Sequence, residues 1–431
     1  MVVKERVSLF ELVLGLSDLL DFVCEDVINH HKHVAYIACS LANEMNLSRS
    51  EQNNLIIAAA LHDLGAFSLQ ERLDALNFEV SFDLDNFCEH AEVGYLLLQK
   101  YEPFSEVAEL IRYHHLYWVN KDLARFENGK LDLKSHFIHL ADRIDVLIDK
   151  DEEILGQVKK IVAKIEEEAG IMFSPQLVEI FKNLAKNGDF WFELTSPSIK
   201  DILLARYTLD ESGLDLDGLL ILAQFFAQIV DIRSRFTATH SWGVAVVAAE
   251  LGRFMGLSPK EVKMLKIAGY LHDLGKLAIP QEILNSSNSL TEDQYRLMKN
   301  HALYTYNALK EIKGLEIITD WASFHHERLD GKGYPFSYSA KDLNLGARIV
   351  AVADLFTATA EDRPYRKGMA KEEVLGIIEG LVEDGAVDGR VVSVLRDNYD
   401  WINSARKTVQ EEADKTYQEF QEQVKGFKVK K

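Results

Sequence analysis

The stretch His325-His326-Glu327-Arg328-Leu329-Asp330-Gly331-Lys332-Gly333-Tyr334-Pro335 decides how the chain is read. It sets two adjacent imidazoles beside two carboxylates and then turns through two glycines to a proline. Imidazole and carboxylate are the donors a first-row transition metal takes when it must also bind water and a phosphate oxygen. Gly331 and Gly333 allow a tight path and a close backbone approach, and Pro335 stiffens the exit. Asp330 is expected to order this loop by accepting hydrogen bonds rather than to ligate.

Outward from this stretch the chain repeats itself. His30, seventeen residues before Leu47-Ser48, corresponds to His240, seventeen before Leu257-Ser258. His62-Asp63-Leu64-Gly65 corresponds to His272-Asp273-Leu274-Gly275, again 210 residues on. His90 and His301, His114-His115 and His325-His326, then Ala141-Asp142 and Ala353-Asp354 keep the order while the offset drifts to 211 and 212. Both copies carry helical spacing: Ile37, Leu41 and Met45 in the first, Val244, Val247, Ala248 and Leu251 in the second. Alternating runs and hairpin turns are scarce. The fold expected is all-α, two tandem helical domains joined by a linker. The first domain is placed at 1–195 and the linker at 196–217, where Pro197, Gly213 and several acids cluster round a short helix from Ile199 to Tyr207. The second is placed at 218–402, with a charged helix or tail at 403–431 that reads as solvated or dimer-forming.

Bulk properties narrow the functional classes. A chain of 431 residues exceeds one ordinary core. No apolar run approaches the ~20 residues of a membrane span. The opening stretch through Phe22 carries Glu11 and Asp18 and reads as an amphipathic helix rather than a signal peptide. Cys24, Cys39 and Cys88 are scattered without a C-x-x-C motif, which points away from a disulfide scaffold and towards a reducing cytoplasm. A net charge of −20 argues against a nucleic-acid polymer as partner, since that binding rests on neutralising many phosphates. It leaves room for a small anion, because local cations and metal ions dominate a pocket.

The second copy offers seven donors: His240, His272, Asp273, His301, His325, His326 and Asp354. That number suits two ions sharing a carboxylate, and Asp273, beside His272, is the candidate bridge. Such a pair activates a water and clamps a scissile phosphate. Lys276, four residues past His272, is placed to neutralise a phosphate oxygen.

These ordered motifs resemble the HD-GYP family of cyclic dinucleotide phosphodiesterases, in a tandem HD–HD-GYP arrangement. The resemblance implies that His240, His272, Asp273 and Asp354 hold one metal, and that Asp273, His301, His325 and His326 hold the other. It implies iron or manganese, with zinc as the alternative. It assigns Asp273 and Lys276 to catalysis and Lys276, Arg363, Arg366 and Tyr334 to the substrate, the arginines meeting phosphates and guanines. The GYP loop is implied to shape the substrate side and to contact partner proteins. Arg366 stands where the family most often has lysine. Phe236 stands where some members carry a glutamate that helps hold a third metal, so two ions are expected. The activity implied is hydrolysis of cyclic di-GMP to pGpG and on to GMP. The rivals are another cyclic dinucleotide, notably cyclic GMP-AMP, and a receptor that binds without cutting.

The first copy keeps all seven donor positions: His30, His62, Asp63, His90, His114, His115 and Asp142. It has Ala66 at the lysine position, Leu116-Tyr117-Trp118 in place of the GYP loop, and Arg143-Ile144-Asp145 without the Arg-Pro-Tyr-Arg segment. Three readings stay open for it: a dimerisation scaffold, a metal-holding sensor of oxygen or redox state, and a second hydrolase. A regulatory or metal-sensing role is the expectation.

Overall fold

The computed structural model describes residues 6–22, 28–68, 71, 84–119, 133–207, 213–234, 238–286, 289–362 and 367–429; for 84–88, 133 and 428–429 it describes the backbone alone. Cys24, Phe236, Arg363 and Arg366 lie outside the described residues. Among the described residues there is no strand, only three isolated β-bridges, so the fold is all-helical as expected. No described helix is long and apolar enough to cross a membrane.

The chain divides into two compact units: Val13–Glu211 with Gly426–Lys431, and Ser212–Lys425 with Met1–Leu12. Within each, the same helices pack together. In the first, His30–Glu44 lies against Arg49–Leu61 and Leu133–Val146, and Ser105–Arg112 lies against Arg49–Leu61 and Leu84–Leu98. In the second, His240–Phe254 lies against Pro259–Leu271 and Leu345–Ala360, while Glu316–Ser323 lies against Pro259–Leu271 and Glu292–Leu309.

Local chemistry starts the equivalent helices in the same way. Ser48 and Glu51 form a reciprocal capping box before Arg49–Leu61, and Ser258 and Glu261 form the same box before Pro259–Leu271. Each box satisfies backbone donors that a helix N-terminus leaves unpaired. The glycine after each His-Asp-Leu is a packing requirement. A Cβ on Gly65 would stand 2.1 Å from the His90 carbonyl oxygen, and one on Gly275 would stand 2.0 Å from that of His301. Only a bare backbone lets the histidine-bearing helix come this close.

Two boundary expectations and the reading of the first helix need revision. Ile199–Arg206 is not free linker: it buries Ile199 and Leu203 and packs on His30–Glu44, so it belongs to the first unit. The tail is not a solvated appendage. Tyr399–Val429 is one helix that buries Ile402, Arg406, Gln410, Ala413 and Phe420 at roughly helical spacing. Two of those five are polar, which hid the buried stripe in a charged composition. Leu9–Asp21 is helical, but it buries far more than one stripe, with only Leu9, Glu11 and Asp18 partly open.

Candidate metal centre

In the second unit the fold collects donors from five segments. His240 opens its helix, His272 and Asp273 follow the end of Pro259–Leu271, and His301 lies inside Glu292–Leu309. His325 and His326 follow Glu316–Ser323, and Asp354 lies inside Leu345–Ala360. The donor atoms of His240, His272 and Asp273 lie within 4.8 Å of one another, as do those of His301, His325 and His326. Asp273 faces both groups: one carboxylate oxygen is 3.2 Å from His272 Nε2 and the other is 3.5 Å from His301 Nε2. Asp354 stands 3.1 Å from His240 Nε2 and 3.9 Å from His326 Nδ1. All seven expected residues are therefore brought together.

The rings are aimed by their second nitrogens. His272 Nδ1 donates to the Gly269 carbonyl at 2.8 Å, His301 Nδ1 to Met298 at 2.6 Å, and His325 Nδ1 to Ala322 at 2.6 Å. A carbonyl oxygen can only accept, so in a neutral ring the proton sits on Nδ1 and Nε2 carries a bare lone pair. Burial pushes His301 down to about 3 and His325 well below the usual imidazole range, so both rings are neutral at ordinary pH. Their Nε2 atoms nonetheless face each other at 3.2 Å. Two lone pairs at that separation repel unless a cation lies with them, and this is the arrangement a metal ion resolves. Asp273 is held well below the usual carboxylate range: burial opposes ionisation, but His272, Lys276 and His301 outweigh it.

His240 is held differently. Its Nδ1 donates to Glu361 at 3.1 Å while Nε2 faces Asp354. Burial disfavours its charged form, yet Glu361 and Asp354 prevail and raise it to about 10. Glu361 was not anticipated from the sequence.

The remaining expected parts fall round this centre. Lys276 Nζ donates to Asp273 at 2.5 Å from a short 3-10 helix, Leu274–Ala278, and its side chain is partly open. The Tyr334 ring stands 4.7 Å from that of His326, and its backbone N–H donates to the His326 carbonyl, so the loop folds over the partly open His326. Glu327 anchors the loop by accepting the N–H groups of Phe336 at 2.6 Å and Tyr338 at 2.9 Å. Asp330 accepts from Arg328 and from the Lys332 N–H, the ordering role expected of it. Gly331 takes a positive φ of 76°, and a Cβ on Gly333 would meet the Glu327 Cα at 2.4 Å.

The first unit repeats the donor geometry. Asp63 belongs to two groups, one with His30 and His62 and one with His90, His114 and His115. His62 Nδ1 donates to Ala59 at 2.8 Å and His114 Nδ1 to Ile111 at 2.5 Å, while Nε2 of His30, His62 and His114 is buried without a hydrogen-bond partner. Such orphaned buried nitrogens are uncommon in native interiors, and here they converge. Asp142 lies 3.5 Å from His30 Nε2 but is also bound by Arg143 at 2.7 Å. Four further histidines, His31, His33, His136 and His139, are packed into this unit, at positions that no sequence motif marks.

The HD domain family matches residues 27–147 and, separately, 224–391. A 3'3'-cGAMP-specific phosphodiesterase of Vibrio cholerae is 31% identical over 404 residues, which cover 91% of this chain and 92% of that protein. A cyclic di-GMP phosphodiesterase of Pseudomonas aeruginosa is 36% identical over 141 residues, 32% of this chain and 34% of the other. A crystal structure of a cyclic GMP-AMP-specific phosphodiesterase of V. cholerae aligns with a TM-score of 0.61 at 23% identity, covering 92% of this chain and 98% of that one, and shares the fold. The chain belongs to the HD-GYP family of cyclic dinucleotide phosphodiesterases, metal-dependent hydrolases of phosphodiester bonds.

Proposed function

We propose that the second domain hydrolyses a cyclic dinucleotide and that 3'3'-cGAMP is its preferred substrate. The catalytic part of the reading rests on Asp273, whose two oxygens face two separate histidine groups. Two divalent cations held by His240, His272, Asp273, Asp354, His301, His325 and His326 would polarise the scissile phosphate and supply an activated water. Asp273 spans the two positions, and backbone carbonyls keep the Nε2 atoms of His272, His301 and His325 turned inward. Lys276 turns from Asp273 to an incoming phosphate oxygen, neutralising charge that grows during reaction. Tyr334 bounds the substrate side, and Arg363 and Arg366 contact the nucleotide. Iron or manganese suits the imidazole-rich donor set.

The choice of cyclic GMP-AMP over cyclic di-GMP draws on the relative that spans both domains, whereas the P. aeruginosa cyclic di-GMP enzyme aligns over only 141 residues. In the first domain, the orphaned Nε2 atoms of His30, His62 and His114 favour a second centre that holds metal without turning over the dinucleotide.

The test is turnover of 3'3'-cGAMP and cyclic di-GMP side by side, by anaerobically prepared protein loaded with Fe(II) or Mn(II). Preferential cleavage of 3'3'-cGAMP is expected, with about four metal ions per chain. Faster cleavage of cyclic di-GMP overturns the substrate choice. Tight binding without product at any loading overturns the enzyme reading in favour of a receptor, and two ions per chain would empty the first centre.

A further inference from the structure

We propose that Glu361 and Gln410 are positioning residues for His240, standing in for a carboxylate that the second copy has lost. The proposal rests on the metal-centre reading above.

In the first copy, His30 Nδ1 meets Asp145 at 2.7 Å, and the other oxygen of Asp145 meets His33 Nδ1 at 2.7 Å. Asp145 lies one turn beyond the ligand Asp142, so a single helix supplies both the ligand and the residue that aims its neighbour. At the 212-residue offset that pairs Asp142 with Asp354, Asp145 corresponds to Thr357. Thr357 is buried, and its hydroxyl has no partner. At the 210-residue offset, His33 corresponds to Gly243. Both members of the first-copy support are thus gone from the second.

Other side chains do the work. Glu361, one turn past Thr357, accepts from His240 Nδ1 and is 4% exposed. Gln410, from the Tyr399–Val429 helix, donates to Glu361 at 2.9 Å and to the Thr239 carbonyl at 3.2 Å. Arg406, buried on the same helix, donates to the Gln410 side-chain oxygen and to the Ala360 carbonyl. Position 243, which corresponds to His33, has no room for a side chain beside Gln410. A Cβ on Gly243 would lie 2.7 Å from Thr357 Cγ2 and 2.9 Å from Gln410 Nε2. The loss of a histidine side chain at 243 therefore goes with the arrival of a glutamine from the C-terminal helix. Groups that hydrogen-bond the far nitrogen of a metal-binding histidine fix its tautomer and direction, and their loss typically lowers metal affinity or activity 10–100-fold.

The experiment follows manganese binding to the full chain by EPR of the free ion, alongside the manganese dependence of turnover. Glu361→Ala is expected to weaken one manganese site per chain by roughly 10–100-fold, with KM for the dinucleotide at saturating metal unchanged. Gln410→Ala should shift the same site by a smaller factor, and its effect should shrink in a chain already carrying Glu361→Ala, because it acts mainly through that carboxylate. Glu361→Gln, the milder change, serves if the alanine variant fails to fold. Wild-type affinity in the Glu361 variants, or a Gln410→Ala effect of equal size with and without Glu361, overturns the proposal. A wild-type chain that binds no manganese instead brings down the metal-centre reading itself.

Discussion

The two domains share one donor plan and differ in what surrounds it. Both point histidine Nε2 atoms at a central aspartate, both fix rings through the carbonyl three residues earlier, and both need a glycine where two helices cross. The first keeps its donors buried, holds Arg143 on Asp142, and has Ala66 at the lysine position. The second leaves His326 partly open under Tyr334 and sets Lys276 on Asp273. Donor geometry and the parts assigned to substrate chemistry are therefore separable layers of this fold: one scaffold carries the first twice and the second once.

The sharpest way to break this comparison is to remove the central aspartate from each copy. Asp273→Ala is expected to reduce dinucleotide cleavage to background, whereas Asp63→Ala leaves kcat/KM within a few-fold of wild type. Cleavage that survives the first change and vanishes with the second would reverse the roles. The lysine position comes next. Lys276→Ala should lower kcat by roughly 10²–10³-fold, the range for losing a preorganised group that meets developing charge. Ala66→Lys, in a chain lacking Asp273, should produce no cleavage, because the first copy lacks more than a cation.

Smaller effects probe what the copies share. Gly65→Ala and Gly275→Ala should each destabilise the chain by about 1–3 kcal/mol, the usual range for overpacking. Denaturant unfolding followed by helical circular dichroism measures this, and similar losses in both would mark the crossing as structural rather than catalytic. Ser48→Ala and Ser258→Ala each remove one capping box, at about 1 kcal/mol. Each should lower Tm by roughly 2–4 °C and leave turnover unchanged.

Much of the site was legible because its donors are chemically distinctive and their order repeats. His325-His326, His272-Asp273 and Asp354 announce themselves by type and spacing, and the duplicate confirms the register. The Asp330 role and the glycine requirement at 331 and 333 also followed from local chemistry. What escaped was the support. Glu361 is an ordinary helix-end acid in sequence, and Gln410 sits in a segment whose composition reads as solvated. One signal was available: extending the repeat alignment three residues past Asp142 and Asp354 pairs Asp145 with Thr357 and exposes a missing carboxylate.

By itself, then, the sequence determined the all-helical class, the duplication, and the fourteen candidate donor positions. These depend on residue type and short-range periodicity, which the chain displays openly. Only the tertiary structure decided which nitrogen of each ring faces inward, that Asp273 divides its oxygens between two groups, and that the last long helix reaches His240 through Gln410 and Glu361. An imidazole has two nitrogens, and the partner of the second is set by whichever backbone or side chain the packing brings beside it. For His240 that partner is 121 residues away, and no local pattern carries information over such a distance.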